Sequence, residues 1–484
     1  MADDAAAEAA EPGVAELLAA ARRLSRASVL VVGDVMLDQY VFGQVERVSP
    51  EAPVPVLSVQ RELAMPGGAG NVVRNLGALG AAVAFVSVVG DDQAGSDLTG
   101  LIGGQPGVEP WLLVQGGRTT TTKVRMVAQG QQLLRVDRES TAPLHPKLAE
   151  RMLRIAGDAI VATSVTILSD YHKGVLTGDT AARLVAAARQ AGRKVIAAVH
   201  GGDLAAYAGA DVLLPGRHDL ARATGQAIDD AAGVAAAAAA LRRMHGFGAV
   251  LVGRGGEGMT LADTAGVRHL RGEAGEVLDM SGVGDSAVAT LGAALASGAD
   301  LALAARLAAL AGAIAMQRVG TAVVRERDFL DALSPEGGVL RKIVSPETAA
   351  EQLERWRRRG LRAGFAHGSF DPPRPGHAHL LAQARTVSDR LVVAVATDAT
   401  VRRRKGAGRP MLPQDERAAQ VAALPEVDLV VLAEDDDPAA LLQALRPDVL
   451  ATGADTLGED GVTAALLGHW GGRVLHAQRL AEPA

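Results

Sequence analysis

The sequence predicts an α/β protein with two domains. Apolar, β-branched runs alternate with alanine-rich helical stretches, and 484 residues exceed what one ordinary core accommodates. Continuous apolar runs of this kind are typical of strands that are buried on both faces of a parallel sheet. The first run starts at residue 28, and similar runs follow at residues 84–90, 165–170, 194–199, 211–216 and 249–253.

The expected organisation begins with a tail and a lead-in helix over residues 1–24, followed by a first domain over residues 25–335. Within that domain, residues 41–59 are broken by prolines and polar residues, and we interpret them as a small β lid. Residues 336–360 carry proline, glycine and mixed charge, which indicates a linker and a polar helix. Residues 361–484 repeat the α/β pattern at the size of one small nucleotide-binding domain.

The composition excludes some chemistry and argues against some partners. Without cysteine the chain has no disulfide, thiolate metal site or cysteine nucleophile, which fits a cytoplasmic protein. A net charge of −6 and an aromatic content of 2% argue against a nucleic-acid partner. The N-terminus lacks the basic start and apolar stretch of a secretory signal. The apolar region 287–316 is interrupted by Asp300 and Arg306, so we expect no membrane span.

The most informative segment is LDMSGVGD, residues 278–285, which precedes a helical stretch. Phosphoryl transfer requires stabilisation of the charge on the transferred group and a base beside the attacking hydroxyl. Gly282 and Gly284 allow successive N–H groups around Val283 to point into one concavity, to which the helix N-terminus adds its dipole. Asp285 is then placed to accept the hydroxyl proton. By spacing alone, a glycine-rich turn that starts a helix explains this segment equally well.

A second glycine-rich segment, PGGAGNV at residues 66–72, also precedes a helix. Gly67 and Gly68 lack side chains and would let a sugar approach the backbone closely. Asn71, and Asp34 at the end of the first predicted strand, are then candidates to bond sugar hydroxyls. The alternative for this segment is a turn that only starts a helix.

Several further segments occur in a characteristic order: GDVMLDQY, RVSPEAPVPV, PGGAGNV, GDD, TTKVRM, QQLLRVD, SDYHKG and SGVGD. Together they resemble the D-glycero-β-D-manno-heptose-7-phosphate kinase branch of the ribokinase-like (PfkB) family, over residues 25–335. The stretch 47–56 is the most specific part, because it is not a general feature of sugar kinases. The resemblance implies a three-layer α/β/α domain with a small β lid. It also implies transfer of the ATP γ-phosphate to the C1 hydroxyl of a heptose 7-phosphate, with Mg²⁺.

The resemblance also assigns roles to individual residues. Asp285 is the expected base. The expected anion hole and ATP site consist of Gly282, Val283, Gly284, Asp219 and Gly253. The expected sugar site consists of Asp34, Gly67, Gly68, Asn71 and Lys173. For Lys173, a place near a phosphate and a solvated loop position are nearly equal alternatives. The lid resembles a dimerisation element, so we expect a homodimer whose ligands are ATP and a sugar phosphate.

Two segments depart from the family pattern. Residues 198–200 read Ala198, Val199 and His200 where relatives carry Asp-Pro-Lys. The usual Asn-x-x-Glu becomes Gly216 to Asp219, which keeps a carboxylate and loses an amide. His200 and His218 are either substitute phosphate contacts or ordinary surface residues. These changes bear on the rate and the exact substrate more than on the fold.

In the second domain, AHGSFDPPRPGH at residues 366–377 lies between a predicted strand and a predicted helix. It resembles the GxFDxxHxGH signature of the Rossmann-like, cytidylyltransferase-like nucleotidyltransferases. In that superfamily a sugar phosphate attacks the α-phosphorus of a nucleoside triphosphate, and imidazoles at the helix N-terminus stabilise the charge. His377 matches the second motif histidine and is the expected catalytic residue. The other expected site residues are Gly368, Phe370, Asp371, Arg374, Gly376, Asp398, Lys405 and Arg417.

Three departures leave the activity of this second domain open. Arg374 replaces the first motif histidine, although arginine can still clamp a phosphate. Thr452 stands where the family has a lysine, and the sequence ends at AQRLAEPA before the expected Ser/Thr-rich motif. The resemblance favours an adenylyltransferase for ADP-heptose synthesis. The alternatives are a kinase for another sugar with an inactive second domain, or a non-catalytic regulator that binds nucleotide or sugar phosphate. Metal ligands are not identified.

Overall fold

The computed structural model describes residues 12–477 apart from residues 130, 273–276, 278, 319, 334–336, 407, 435–438 and 454–464. The chain divides into two compact units after Leu333. Among the described residues, no helix combines the length and the apolar character that crossing a bilayer requires.

The strands of the first unit form a large sheet and a small one. In chain order they are β1 (Ser28–Gly33), β2 (Val35–Val48), β3 (Pro55–Gly68), β4 (Ala82–Gly90), β5 (Val108–Gln115), β6 (Thr122–Ala128), β7 (Gln131–Arg138), β8 (Val165–Asp170), β9 (Lys194–Val199), β10 (Val212–Pro215), β11 (Ala249–Gly253), β12 (Gly258–Ala262) and β13 (Val267–Arg271). Within the described residues, the large sheet has the order β13-β12-β11-β10-β9-β8-β1-β4-β5. Its strands from β11 to β5 in that order run parallel, and β12 and β13 are antiparallel additions at one edge.

The helices of the first unit cover both faces of the large sheet. They are α1 (Val14–Ala21), α2 (Ala69–Ala78), α3 (Gln93–Gly103), α4 (Pro146–Ala162), α5 (Thr180–Gln190), α6 (Arg217–Thr224), α7 (Ala231–His245), α8 (Val283–Ala296), α9 (Leu301–Met316) and α10 (Glu326–Leu333).

Neighbouring residues of β1 face opposite cores, because side chains alternate along a strand. Val31 packs in one core with Leu291 of α8, while Val32 packs in the other with Met152 of α4. The expected three-layer α/β/α fold is therefore confirmed.

The small sheet is the β lid, and it is larger than the sequence predicts. Its order is β3-β2-β6-β7, so it includes two strands beyond the hairpin. The prolines that interrupt the pattern, Pro50 and Pro53, lie in the turn between β2 and β3, where no ladder hydrogen bond is required. From this turn the hairpin extends to the pair of Val35 and Gly68 at its open end.

The second unit is a separate parallel sheet between helices. Its elements are α11 (Gly337–Leu340), β14 (Ile343–Val344), α12 (Pro346–Arg358), β15 (Ala363–Gly368), α13 (Pro375–Thr386), β16 (Arg390–Ala396), α14 (Asp398–Lys405), α15 (Gln414–Ala422), β17 (Leu429–Ala433), α16 (Ala439–Leu445), β18 (Val449–Thr452) and β19 (Arg473–His476). Among the described residues the strand order is β14-β17-β16-β15-β18-β19. The predicted Rossmann-like α/β architecture is confirmed.

The segment predicted as a linker and helix is part of this second sheet domain. Ile343 and Val344 pair with β17 as an edge strand, and Leu353 and Trp356 of α12 pack on Phe365 of β15. A strand of two residues is too short to give a recognisable period in the sequence, so the pattern there indicates only a connection.

The parallel strands end at one edge of each sheet, and the chemistry-bearing residues follow those ends. In the first unit Asp34 follows β1, Tyr171 follows β8, His200 follows β9 and Gly216 follows β10. Ligands of open α/β sheets bind at this edge.

Candidate functional site

Asp285 lies in the first turn of α8, and its carboxylate is held by two donors from distant parts of the chain. Gly282 caps the helix with a φ of 74°, a left-handed conformation that favours glycine. Asn71 Nδ2 donates to Asp285 Oδ2 at 2.8 Å. The hydroxyl of Tyr171 donates to Asp285 Oδ1 at 2.5 Å. The carboxylate is thereby fixed at the positive end of the helix dipole.

Burial raises the pKa of Asp285, and the hydrogen bonds from Tyr171 and Asn71 and the nearby His200 oppose that rise. A carboxylate with a raised pKa accepts a proton more readily than an ordinary aspartate. The environment of Asp285 therefore suits a general base for a hydroxyl group.

The turn at Gly67 and Gly68 lies close to this carboxylate. A Cβ at Gly67 would lie 2.1 Å from Asp38 Oδ2, and one at Gly68 would lie 2.6 Å from the carbonyl oxygen of Asp34. Asn71, whose side chain donates to Asp285, lies three residues after Gly68, in the first turn of α2. The two glycine-rich segments of the sequence thus meet in one place, with no room for side chains at the turn.

Asp34, a predicted sugar contact, holds a neighbouring loop with its carboxylate. Its Oδ2 accepts the backbone N–H groups of Tyr171 and Lys173, at 2.9 and 3.0 Å. Its Oδ1 accepts the N–H of Val175 at 3.0 Å. Burial and the neighbouring Asp170 raise the pKa of Asp34 to about 7. Asp34 therefore shapes the loop 171–175, and its contact with a sugar hydroxyl stays a prediction.

Lys173 lies at the boundary between that loop and the lid. Its Nζ is 2.9 Å from Glu139 Oε2, and Lys123 Nζ of β6 is 3.8 Å from the same oxygen. Two ammonium groups thus share one carboxylate beside the sugar-site candidates.

A cleft of about 390 Å³ adjoins the start of α8 and has mainly apolar walls. Gly253, Val283 and Gly284 of the predicted ATP site line it. Three residues that depart from the family pattern, Ala198, His200 and Gly216, line it as well. Further wall residues are Leu214, Leu251, Met259, Met280, Ala309 and Met316. An apolar cleft that leads to a glycine-rich helix start suits a nucleotide base with its phosphates at the helix.

Asp219 lies beside the cleft, with both oxygens engaged. Its Oδ2 accepts the N–H of Gly201 at 3.0 Å, and its Oδ1 is 2.8 Å from Arg222. A Cβ at Gly216 would lie 2.8 Å from Asp219 Oδ2, so the aspartate occupies space that the family's asparagine would need. His218 is exposed on α6.

Among the described residues, no group of three or more His, Asp or Glu side chains could hold a metal ion by itself. Mg²⁺ commonly keeps several waters and binds to one or two carboxylates plus substrate phosphates. A Mg²⁺ held in that way needs few protein ligands.

In the second unit, the loop after β15 brings together several predicted residues. Gly368 ends the strand, and Phe370 follows with a φ of 46° and a buried ring. The Asp371 carboxylate is fully buried and accepts the N–H of Met411 at 2.6 Å, with Arg409 at 3.1 Å. These bonds lower the pKa of Asp371 against the opposing effect of burial. Asp371 thus holds the loop before α15 in place.

His377 lies in the first turn of α13, after Gly376, and has cationic neighbours. Its Nδ1 accepts the backbone N–H of Arg374 at 2.9 Å, which leaves Nε2 as the protonated donor. Burial, and then the charges of Arg374 and Lys405, lower the pKa of His377. Lys405 also donates to Ser369 Oγ at 2.6 Å. A neutral imidazole, two cations and a helix N-terminus form a site that suits a phosphate chain.

Arg417 and Asp398, both predicted as site residues, form a buried support under this loop. The Arg417 side chain is 0% exposed and lies 2.7 Å from Asp398 Oδ1. It also donates to the carbonyl oxygens of Leu412, Ser369 and Ala396. A guanidinium with this set of partners is a structural group and is closed to a ligand.

The comparisons with known proteins cover both units. Residues 26–327 match the pfkB family of carbohydrate kinases, and residues 365–466 match the cytidylyltransferase-like family. This chain belongs to the pfkB carbohydrate kinase family. The resemblance predicted from the motifs is confirmed, and so is the prediction that the chain is a carbohydrate kinase with a nucleotidyltransferase-type second domain.

Two relatives match the kinase and the second domain together. The chain is 57% identical to the bifunctional protein HldE of Acidiphilium cryptum over 471 residues, which is 97% of each chain. It is 48% identical to the bifunctional protein HldE of Paramagnetospirillum magneticum over 459 residues, which is 94% of each chain. The chain therefore belongs to the HldE family of bifunctional proteins.

Solved structures resemble the pfkB unit in fold. Arabidopsis thaliana ribokinase complexed with ribose and ATP is 21% identical, with a TM-score of 0.51, covering 64% of this chain and 99% of that one. Escherichia coli phosphofructokinase-2 in complex with potassium is 20% identical, with a TM-score of 0.53, covering 63% and 98%. At this identity the likeness shows the fold alone.

Two residues that shape the site of this pfkB kinase, Tyr171 and Asp279, are not predicted from the motifs. Tyr171 lies within the quoted SDYHKG motif, but nothing in the spacing places its hydroxyl on Asp285. Asp279 accepts the N–H groups of Ser281 and Gly320, both at 2.8 Å, and so shapes the turn before the helix. The available signal for Tyr171 was its place in the SDYHKG motif, directly after a predicted strand.

We predict that Arg417→Met destabilises the second unit by about 2–5 kcal/mol, because it leaves Asp398 and several carbonyl oxygens without their donor. Tryptophan fluorescence during urea unfolding measures this, since Trp356 and Trp470 both lie in the second unit. Arg402→Met, at an exposed position of α14, is the matched control, with an expected change within about 0.5 kcal/mol. Equal effects of the two substitutions would contradict the structural role of Arg417.

Proposed function

We propose that the first unit transfers the γ-phosphate of ATP to the C1 hydroxyl of a heptose 7-phosphate. We also propose that the second unit transfers an adenylyl group from ATP to a heptose 1-phosphate, so that the chain serves ADP-heptose synthesis. These substrates place the chemistry in the cytoplasm. The observation that carries the kinase assignment is the held carboxylate of Asp285, at a helix start between a nucleotide-sized cleft and the Gly67–Gly68 turn.

In the kinase step, the C1 oxygen bonds to the γ-phosphorus while the bond to the bridging oxygen of ADP breaks. Asp285 accepts the hydroxyl proton, which its raised pKa favours. Backbone N–H groups at residues 282–284 and the dipole of α8 stabilise the charge on the transferred group. Bound Mg²⁺ would neutralise part of the charge on the phosphates.

The pair Lys173 and Lys123 supports a phosphorylated sugar as the substrate. Both ammonium groups lie within 4 Å of one Glu139 oxygen. A phosphate group could replace that carboxylate and retain both cations, with more acceptor oxygens than Glu139 offers.

In the second step, an oxygen of the sugar phosphate bonds to the α-phosphorus of ATP and pyrophosphate leaves. The Nε2–H of His377 and the charges of Arg374 and Lys405 support the developing negative charge. Arg374 supplies a cation where the motif has its first histidine, so phosphate binding does not depend on that histidine.

We predict that Asp285→Asn lowers kinase kcat by about 10²- to 10⁴-fold, with ATP affinity nearly unchanged, because it removes a base and leaves the phosphate contacts. ADP release with heptose 7-phosphate and ATP titration measure the two effects. Asp300→Asn is the matched control, since Asp300 caps α9 and asparagine caps equally well. Retained turnover in Asp285→Asn would mean that the base lies elsewhere.

We predict that His377→Ala abolishes pyrophosphate release from ATP and heptose 1-phosphate and leaves ADP release by the kinase intact. His379→Ala, on the same helix, is the matched control.

Because Arg374 lowers the pKa of His377, Arg374→Ala should raise that pKa and move the acidic limb of adenylyl transfer to higher pH. ADP release by the wild type without any pyrophosphate release would retire the bifunctional proposal and leave a kinase with an inactive second domain.

We also propose that the lid forms a homodimer interface. Leu134 and Val136 of β7 are exposed on the same lid face, and their strand partners there, Met126 and Val124, are apolar. An exposed apolar face on a sheet is typical of an interaction site.

We predict that Leu134→Lys converts the dimer to a monomer, measured by analytical ultracentrifugation across a concentration series. Val161→Lys, at an equally exposed apolar position on α4, serves as the control and should leave the dimer intact. A wild-type chain that stays monomeric at every concentration would overturn the dimer proposal.

A further inference from the structure

Tyr171 is the first residue of the loop 171–175, immediately after β8. Its backbone N–H is fixed by Asp34 Oδ2 at 2.9 Å. The next N–H of the loop, from His172, is held by Asp170 Oδ1 at 2.7 Å. Two buried carboxylates at the ends of β1 and β8 therefore fix the backbone from which the Tyr171 side chain extends.

The ring of Tyr171 is held on two sides. It stacks on the imidazole of His200, with ring centroids 4.5 Å apart and planes 28° apart. A Cβ on Gly68 would lie 3.4 Å from Tyr171 Cδ2, so the glycine turn packs against the ring edge. With both contacts in place, the ring directs its hydroxyl toward Asp285 Oδ1, which lies 2.5 Å away.

The second oxygen of Asp285 is held just as firmly. Asn71 donates to it at 2.8 Å, and Arg74 donates to the amide oxygen of Asn71 at 3.1 Å, which fixes the amide orientation. Two donors on two oxygens determine the plane of the carboxylate. A carboxylate offers about four lone-pair directions, so acceptor capacity remains for a substrate hydroxyl.

We propose that Tyr171 is a positioning residue of the kinase reaction, whose hydroxyl sets the orientation and proton affinity of the Asp285 carboxylate. This inference rests on the proposed function, in which Asp285 is the base. His200, which stands where the family has a lysine, contributes by holding the Tyr171 ring.

The directions in which the pKa values of Tyr171 and Asp285 shift agree with this role. Burial, and then the charge of Asp285, raise the pKa of Tyr171 well above its ordinary value, so the phenol stays a donor at every working pH. Its hydrogen bond lowers the pKa of Asp285 against the effect of burial. Removing the hydroxyl should therefore raise the pKa of Asp285. The titratable and charged groups that face this pair are Asp34, Asp38, Arg74 and His200.

The test compares Tyr171→Phe with Tyr207→Phe in the full chain. Tyr207 is a matched control because its hydroxyl also donates to a buried carboxylate at 2.5 Å, that of Asp170. ADP release with ATP and heptose 7-phosphate is followed from about pH 5 to about pH 9, with thermal unfolding and ATP affinity measured on each variant. For Tyr171→Phe we expect kcat to fall about 10- to 100-fold and its acidic limb to move to higher pH.

The outcomes separate a positioning role from a structural one. Tyr207→Phe should shift thermal unfolding and leave the acidic limb where the wild type has it. A uniform loss of rate in Tyr171→Phe with an unmoved limb, or an increase in kcat, would overturn the proposal. A silent wild type would instead overturn the proposed function itself.

A second substitution covers the case in which Tyr171→Phe does not fold. Site-specific 3-fluorotyrosine at position 171 keeps the ring and the hydroxyl and makes the phenol a stronger donor. The acidic limb of kcat should then move to lower pH, opposite to the effect of Tyr171→Phe. An unmoved limb in this variant would also reject the positioning role.

Discussion

The kinase site depends on a buried carboxylate that must have hydrogen-bond donors. A charged side chain without donors is costly in a protein interior, so Asp285 is stable only where other elements supply them. Asn71 at the start of α2 and Tyr171 after β8 do so. This requirement brings three remote segments together, and they meet where the cleft beside Gly284 adjoins the Gly67–Gly68 turn.

The position of Tyr171, one of the two donors to Asp285, depends on a second buried carboxylate, that of Asp34. Asp34 accepts three backbone N–H groups of the loop 171–175 and so determines where Tyr171 begins. Burial and the neighbouring Asp170 raise the pKa of Asp34 to about 7, because both disfavour its charged form, while the N–H groups of the loop stabilise that form.

The sequence predicts the layers and the glycine-rich turns well because both have local causes. An apolar run in the sequence indicates a buried strand directly. A glycine is required wherever a Cβ would collide with neighbouring backbone, as at Gly68. The bond between Tyr171 and Asp285 joins residues 114 positions apart, and no periodicity encodes it. For the same reason, the sequence does not show the partners of Asp34 and Arg417. Only the fold shows that Asp34 holds backbone N–H groups of the loop 171–175 and that Arg417 binds Asp398 and three carbonyl oxygens.

The second unit shows why fold and activity have to be judged separately. Its buried support, Arg417 with Asp398 and Asp371 with Arg409, has its partners in place. Arg374 and the other departures from the motif lie outside this buried support. A change at an exposed reacting position costs little stability, whereas a change in the buried support costs several interactions at once. The fold would therefore persist in an inactive domain, and the proposed adenylyl transfer has to be tested at His377 and its flanking cations.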